Sequence, residues 1–275
     1  MLFCTDLDGT LFRSDKTVSD RNFEAIEYFK AESGIFTFIT GRVPKTAGGI
    51  CRLINPNGPY GCINGGGIYD PRQEEYLWTE GLPANALELV KAVDRELPEI
   101  GIQPNTRGGV YFYKDNSAME RFRRVTGLPN ISCRWEEIEG SLLKVVFAHE
   151  EEGQILALAD LLNRHPLAPQ FDFIRSERYL YEILPKGVSK GKVLRKMAQL
   201  LGISMRKTIA VGDYYNDVSM LKAAGLSFAV DNAVPEAKAA AGYITVSNNE
   251  DAIAVIVEGI DRGEFLPRTV PEDTE

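Results

Sequence analysis

One short segment near the start of the chain decides both its fold and its chemistry: Phe3-Cys4-Thr5-Asp6-Leu7-Asp8-Gly9-Thr10-Leu11-Phe12. The apolar residues at its start predict a buried strand, which ends in two carboxylates and a glycine. Residues two apart on a strand face the same way, about 6.5 Å from each other. Asp6 and Asp8 would therefore crowd two negative charges together unless a cation or the turn at Gly9 relieved them. The segment indicates a functional role for these carboxylates.

The same pattern returns late in the chain, where the apolar run Thr208 to Val211 leads into Gly212 and Asp213. In open α/β sheets ligands gather at the carboxyl ends of the strands. Two such loops side by side would form a cluster of up to four carboxylates, namely Asp6, Asp8, Asp213 and Asp217. Hard oxygen ligands in that number suit Mg²⁺. An Asp that caps the next helix explains either loop alone, but not both together.

Composition limits the classes of partner and of chemistry. The chain has 275 residues, 44% hydrophobic and 25% charged, with a formal net charge of −8, the wrong sign for tracking a nucleic-acid backbone. No segment approaches the length of about 18 apolar residues that a membrane span needs. Four cysteines without CxxC spacing and only two histidines leave carboxylate and lysine chemistry. We expect no nucleic-acid or membrane partner and a cytoplasmic location.

The order of predicted elements indicates two domains. Strands alternate with helices up to about residue 81 and again from residue 186, which predicts a doubly wound, parallel, Rossmann-like α/β sheet. Between these segments, residues 82–185 read as an inserted α+β cap, with a strand pair formed by Ile100 to Thr106 and Gly109 to Lys114. Residues 1–81 and 186–275 together form the expected catalytic core. The charged, proline-containing tail from Arg262 to Glu275 is expected to fray.

Three further positions suit an anion, and each has a simpler explanation. Thr40-Gly41 offers a hydroxyl and backbone N–H groups just before a helix, although Thr40 alone can be a turn residue. Lys190 starts a helix, where the helix dipole disfavours a cation unless an anion is near, although a solvated lysine is the commoner case. Asn216 could donate to a phosphate oxygen or cap the next helix.

Taken in chain order, four motifs stand in the sequence: Asp6-Leu7-Asp8-Gly9-Thr10-Leu11, Thr40-Gly41-Arg42, Lys190, and Gly212-Asp213-Tyr214-Tyr215-Asn216-Asp217. This set resembles that of the haloacid dehalogenase-like hydrolases, and in particular the Cof-type phosphatases with a type IIB cap. The resemblance covers nearly the whole chain and extends to the stretches around Asn64 and Asn232. Tyr214, Tyr215 and Ala252 depart from the usual pattern, which affects the expected specificity rather than the reaction.

The resemblance implies a Mg²⁺-dependent phosphatase that acts on small phosphorylated metabolites, such as sugar phosphates, through an aspartyl-phosphate. Asp6 would be the nucleophile and Asp8 the general acid and base. The implied ligands of Mg²⁺ are the Asp6 carboxylate, the Asp8 backbone carbonyl and Asp213. The implied phosphate contacts are the Leu7 backbone, Thr40, Gly41, Lys190 and Asn216. The implied supporting residues are Asp217, Arg42, Asn64 and Asn232.

Two other functions stay open at this level. A phosphomutase would pass the phosphoryl group to a sugar instead of water. A phospho-acceptor or binding module would take up phosphate once and use the acidic pocket as a switch. The sequence does not determine the substrate or the oligomeric state. Five residues of the insertion fit a specificity pocket and an ordinary surface equally well: Arg107, Tyr111, Arg175, Arg178 and Tyr179.

Overall fold

A computed structural model of the chain describes residues 1–128 and 132–269. The strands of the described residues are β1 (Leu2–Thr5), β2 (Ile35–Phe38), β3 (Tyr60–Cys62), β4 (Gly67–Asp70), β5 (Glu75–Thr79), β6 (Gly101–Thr106), β7 (Leu142–Ala148), β8 (Phe171–Glu177), β9 (Leu180–Pro185), β10 (Thr208–Gly212), β11 (Leu226–Ala229) and β12 (Tyr243–Ile244). The α-helices are α1 (Asp20–Ala31), α2 (Pro44–Ile54), α3 (Ala86–Glu96), α4 (Ser117–Thr126), α5 (Glu152–Arg164), α6 (Lys190–Leu200), α7 (Val218–Ala223), α8 (Pro235–Ala240) and α9 (Ala252–Asp261). Among these residues, no helix combines the length and the apolar character that crossing a bilayer requires.

The main sheet is parallel and has five strands in the order β12-β11-β10-β1-β2. Strand β1 is buried along its whole length, as expected for an apolar strand with neighbours on both sides. It pairs with β10 and β2 in parallel, with Leu2 opposite Thr208 and Ile35. The Asp6 backbone N–H extends the ladder to the carbonyl of Val211, at 2.8 Å. This register brings the loops after β1 and β10 together and confirms the predicted fold class.

Local signals set the ends of the helices that flank the first motif and Lys190. Ser19 caps α1, with its side chain accepting a hydrogen bond from the Asn22 N–H, and Ser189 caps α6 in the same way through Lys192. The Asn22 side chain also accepts a bond from the Ala254 N–H at 3.0 Å, which joins α1 to α9. Strand β3 forms one parallel bridge to the residue after β2 (Gly61 with Ile39) and an antiparallel sheet with β4 and β5.

The chain divides into two compact units. One contains Met1–Arg42, Ala47–Leu77 and the chain from Ser189 onwards; the other contains Val43–Thr46 and Trp78–Val188. The second unit contains an antiparallel sheet in the order β6-β7-β9-β8 together with α3, α4 and α5, and its core includes Val90, Ile102, Phe147 and Ile183.

Two expectations about local structure were wrong. The expected strand from Gly109 to Lys114 is reduced to single bridges, at Val110, Phe112 and Lys114. The reason is Pro104 at the centre of β6, which has no N–H to donate to a partner strand. The expected fraying of the tail fails for residues 262–269, while residues 270–275 lie outside the described part. The Phe265 ring contacts the Phe228 ring, with centroids 4.8 Å apart, and the Arg268 N–H donates to a backbone carbonyl at 2.7 Å.

Candidate active site

Three carboxylates and one ammonium meet where β1 and β10 end. Carboxylate oxygens of Asp6, Asp213 and Asp217 lie within 4.8 Å of one another. Lys190, whose side chain is 1% exposed, extends from the first turn of α6, and its Nζ lies 2.6 Å from Asp6 Oδ1 and 2.5 Å from Asp217 Oδ1. The position of Lys190 at a helix start is therefore explained by two buried carboxylates.

The cluster carries more negative than positive charge. Burial raises the pKa of Asp6 well above its ordinary value, and the charges of Asp217 and Asp213 raise it further against the opposing effect of Lys190. Burial, followed by the charge of Asp217, raises the pKa of Asp213 to about 6. Burial alone would lower the pKa of Lys190, but the charges of Asp217 and Asp6 outweigh it and the pKa is raised. Hard oxygen donors with surplus negative charge are a suitable site for Mg²⁺.

Asp217 also shapes the loop that carries Asp213. Its Oδ2 accepts hydrogen bonds from the backbone N–H groups of Asp213 and Tyr214, each at 2.9 Å. A Cβ at Gly212 would lie 2.5 Å from the Cβ of Asp217, so the loop requires glycine there. Asp217 therefore holds the Asp213 backbone in place with one oxygen and bonds Lys190 with the other.

The Asp8 side chain lies apart from that cluster and faces cations. Arg42 donates to Asp8 Oδ2 from Nε at 3.1 Å and from Nη2 at 2.9 Å, and Lys16 Nζ donates to Asp8 Oδ1 at 3.0 Å. Burial alone would raise the pKa of Asp8, but the charge of Arg42 and the hydrogen bonds from Lys16 and Arg42 together lower it. In this arrangement Asp8 is ionised, and Arg42 anchors it.

The second motif is joined to the fourth through Asn64. The Thr40 carbonyl accepts a bond from the Asn64 N–H at 3.1 Å, and Asn216 Nδ2 donates to Asn64 Oδ1 at 3.0 Å. A Cβ at Gly41 would lie 2.8 Å from Asn64 Oδ1, so this position admits glycine alone without a shift. The structure thus brings Thr40, Gly41, Asn64 and Asn216 together.

The turn after β1 is fixed from both sides. Leu7 is buried and its carbonyl accepts a bond from the Phe12 N–H at 2.9 Å, while Gly9 has a φ of +87° that favours glycine. Asn232 Nδ2 donates to the Gly9 carbonyl at 2.8 Å, so Asn232 contacts the turn that follows β1.

Three residues that contact the site were missed from the sequence. Thr10 Oγ1 donates to Asp213 Oδ1 at 2.6 Å and Lys16 bonds Asp8. Asn248 Nδ2 donates to the Phe12 carbonyl at 2.8 Å, and its own N–H donates to Asn232 Oδ1. Thr10 lies within the first motif, so its hydroxyl was a visible signal. Nothing in the local sequence points Asn248 to Phe12, because 236 residues separate them.

Within the second unit, the expected pocket residues engage in local contacts. Arg175 bonds Glu152 at 2.7 Å, Arg107 bonds the Thr79 hydroxyl at 2.6 Å, and the Arg121 guanidinium lies over the Tyr179 ring at 4.0 Å. The sequence did not indicate four buried polar residues on the strands of this unit: Gln103, Asn105, Lys144 and Glu182. Lys144 and Glu182 form an ion pair at 2.9 Å.

The fold and this arrangement define a class of enzyme. The chain belongs to the haloacid dehalogenase-like hydrolase family, because the family model of that description matches residues 3–257. A haloacid dehalogenase-like hydrolase from Bacteroides thetaiotaomicron has 25% sequence identity and a TM-score of 0.85, over 94% of this chain and 98% of the other.

Two curated relatives have more specific names. The chain is 25% identical to the 5-amino-6-(5-phospho-D-ribitylamino)uracil phosphatase YitU of Bacillus subtilis, over 92% of this chain and 95% of the relative. It is 27% identical to the HMP-PP phosphatase of Serratia proteamaculans, over 95% of both chains. The comparisons confirm the family that the four motifs indicate.

Proposed function

We propose that the protein is a Mg²⁺-dependent phosphatase of small phosphorylated metabolites that works through an aspartyl-phosphate. The observation that carries the proposal is the cluster of Asp6, Asp213, Asp217 and Lys190 at the ends of β1 and β10. The names of the two relatives support a phosphatase, and they describe phosphorylated small molecules.

Asp6 is the nucleophile of the first step. One of its oxygens forms a bond to phosphorus while the bond from phosphorus to the leaving oxygen breaks. Lys190 bonds Oδ1 of Asp6 and so orients the carboxylate. Water then attacks phosphorus, which releases phosphate and restores the Asp6 carboxylate.

Asp8 moves the proton in both steps. It protonates the leaving oxygen in the first step and accepts a proton from the attacking water in the second. Arg42 and Lys16 favour its ionised form, which suits the second step. A substrate phosphate beside Asp8 adds like charge, which raises the pKa of Asp8 toward the protonated form that the first step needs.

Mg²⁺ would be held by the Asp6 carboxylate, the Asp8 backbone carbonyl and Asp213, with Asp217 supporting the loop. When bound, it supplies positive charge that offsets the repulsion between the nucleophile and the phosphoryl group. The phosphoryl oxygens would be bound by Thr40, Gly41, Lys190, Asn216 and the Leu7 backbone, which stabilises the charge that develops in the transition state.

The inserted segment, residues 82–185, is proposed to select the substrate, while residues 1–81 and 186–275 carry the chemistry. We place the activity in the cytoplasm, because the four cysteines form no disulfide in the described part of the chain, which suits a reducing compartment. The net charge of −8 argues against a nucleic-acid partner.

The test is phosphate release from a panel of sugar, nucleotide and cofactor phosphates, with Mg²⁺ or with a chelator. We expect continuous release that requires Mg²⁺, together with a phosphorylated protein in acid-quenched samples that is lost in Asp6→Asn. A single equivalent of phosphate taken up without release would identify a switch, and isomerised sugar phosphate would identify a mutase. Full activity in the chelator would refute the proposed role of the metal.

A further inference from the structure

Lys16 occupies a backbone conformation that lysine rarely adopts. Its φ is +68°, in the left-handed region where glycine and asparagine are the usual residues. It closes a turn in which the Arg13 carbonyl accepts a bond from the Lys16 N–H at 2.9 Å, and the Arg13 N–H donates to the Thr17 carbonyl at 2.9 Å. A lysine in this uncommon backbone conformation suggests that its side chain has a role.

Hydrogen bonds join this turn to the segment that contains Asn249 and Asp251. The Ser14 N–H donates to Asn249 Oδ1 and Asn249 Nδ2 donates to Ser14 Oγ, both at 3.0 Å. Arg13 bonds Asp251 at 2.6 Å. The turn and the loop that carries Asn249 thus form one structure that fixes the Lys16 backbone.

The Lys16 ammonium reaches the carboxylate that is proposed to touch the leaving group. Lys16 Nζ lies 3.0 Å from Asp8 Oδ1, and Arg42 bonds the same carboxylate in a bidentate manner. Two cations face one carboxylate here, so the group has surplus positive charge. The Lys16 side chain is 66% exposed, whereas that of Arg42 is 26% exposed. Lys16 is thus the cation that faces solvent, beside the carboxylate.

We propose that Lys16 is a substrate-binding residue that selects leaving groups carrying a second anionic group, either a carboxylate or another phosphate. The inference rests on the proposed function, because it takes the position of the leaving oxygen from the role of Asp8. A residue that protonates that oxygen marks where the leaving group lies, and Lys16 touches that residue from its solvent side. An ammonium and an anionic oxygen bond at about 2.8 Å, so the second anion belongs within a few bonds of the ester oxygen.

Matched substrate pairs test this selection. In the carboxylate pair, 3-phosphoglycerate is compared with glycerol 3-phosphate; in the phosphate pair, propane-1,3-diol bisphosphate is compared with the monophosphate. In at least one pair, we expect the wild type to favour the member with the second anionic group by on the order of tenfold in kcat/KM. Lys16→Gln should remove most of that preference. The pair that loses its preference identifies the second anion. The preference should also weaken as salt is added, because Lys16 is exposed.

Two variants serve as controls. Lys16→Arg keeps the charge and should retain the preference. Lys207→Gln makes the same change of net charge at an exposed lysine that precedes β10, at the opposite end of that strand from Asp213, and it should keep the wild-type ratio. Equal losses on both members of each pair in Lys16→Gln would overturn the proposal and reduce Lys16 to a residue that positions Asp8.

A binding measurement separates this inference from the proposed function. Calorimetric titration of Asp6→Asn and of Asp6→Asn with Lys16→Gln, in Mg²⁺, gives dissociation constants for the same pairs without turnover. If the member with the second anionic group binds more tightly, and this difference is lost with Lys16→Gln, the inference is supported even if no phosphate is released. No anionic preference in binding by Asp6→Asn would overturn it even if the wild type proves to be an active phosphatase.

Discussion

Lys190→Met tests the balance of charge in the carboxylate cluster. Methionine has a similar length and no charge, so the change removes the ammonium that bonds Asp6 and Asp217 and leaves their carboxylates buried. Removing one partner of a buried ion pair costs about 3–5 kcal/mol. Natural domains have a free energy of unfolding of about 5–15 kcal/mol, so the loss should be a large part of the total.

Metal should offset part of this loss. A divalent ion at the cluster supplies the positive charge that the variant lacks, and a ligand at about 100 times its dissociation constant stabilises the folded state by about 2.7 kcal/mol. We therefore expect the variant to unfold roughly 6–20 °C below the wild type in chelator, using about 2–4 °C per kcal/mol, and to recover several degrees more than the wild type in Mg²⁺.

The assay is thermal unfolding followed by circular dichroism, with Lys192→Met as the matched control because Lys192 is exposed on the same helix. Turnover of Lys190→Met should also fall by about 10²–10³, as for loss of a group that stabilises transition-state charge. If Lys190→Met and Lys192→Met unfolded at the same temperature in chelator, the account of Lys190 as the counter-ion of the cluster would be wrong.

Three further predictions concern the carboxylates and the metal. Asp6→Asn should abolish turnover. Asp8→Asn should slow turnover by a factor of about 10²–10⁴, and by less for aryl phosphates, whose leaving group needs no proton. Equal losses on alkyl and aryl phosphates would exclude Asp8 as the general acid. Chelator should stop phosphate release and Mg²⁺ should restore it, whereas Ca²⁺ should restore little because it accepts more oxygens at longer distances; equal rates with both ions would contradict this. The pKa of Asp213 is raised to about 6, so the metal-free folded state binds more protons than the unfolded state between pH 4 and 6. The free energy of unfolding, measured with urea and taken relative to Asp213→Asn, should therefore fall by roughly 1–3 kcal/mol as pH rises through that window. A rise in that free energy would show that the sign is wrong.

The parallel sheet and its two acidic loops were predictable because they follow from local pattern. An apolar strand that ends in acid and glycine is visible at Asp6 and at Asp213, and parallel strands bring their carboxyl ends to one edge. The helix start at Lys190 was predictable for the same reason, since a cap needs only one side chain and a nearby N–H, here Ser189 and Lys192.

The remaining features depend on contacts between residues distant in sequence. Lys190 was predicted to face an anion, but its burial between Asp6 and Asp217 depends on the packing of α6. The tail was predicted to fray from its charge and prolines, whereas in its described part, residues 262–269, one aromatic side chain, Phe265, packs on Phe228. The bond from Asn216 to Asn64 joins residues 152 positions apart, and no local pattern specifies it.

Asp6 and Asp8 leave the same strand end two residues apart, yet their surroundings shift their pKa values in opposite directions. Burial and like charges raise the pKa of Asp6, whereas Arg42 and Lys16 lower the pKa of Asp8 against the effect of its burial. The proposed first step needs an ionised Asp6 and a protonated Asp8, so each shift opposes the state that this step needs. Positive charge from a bound metal at the cluster lowers the pKa of Asp6, and negative charge from a bound phosphate raises that of Asp8. We infer that the two carboxylates reach the protonation states of the first step most readily when both the metal and the substrate phosphate are bound.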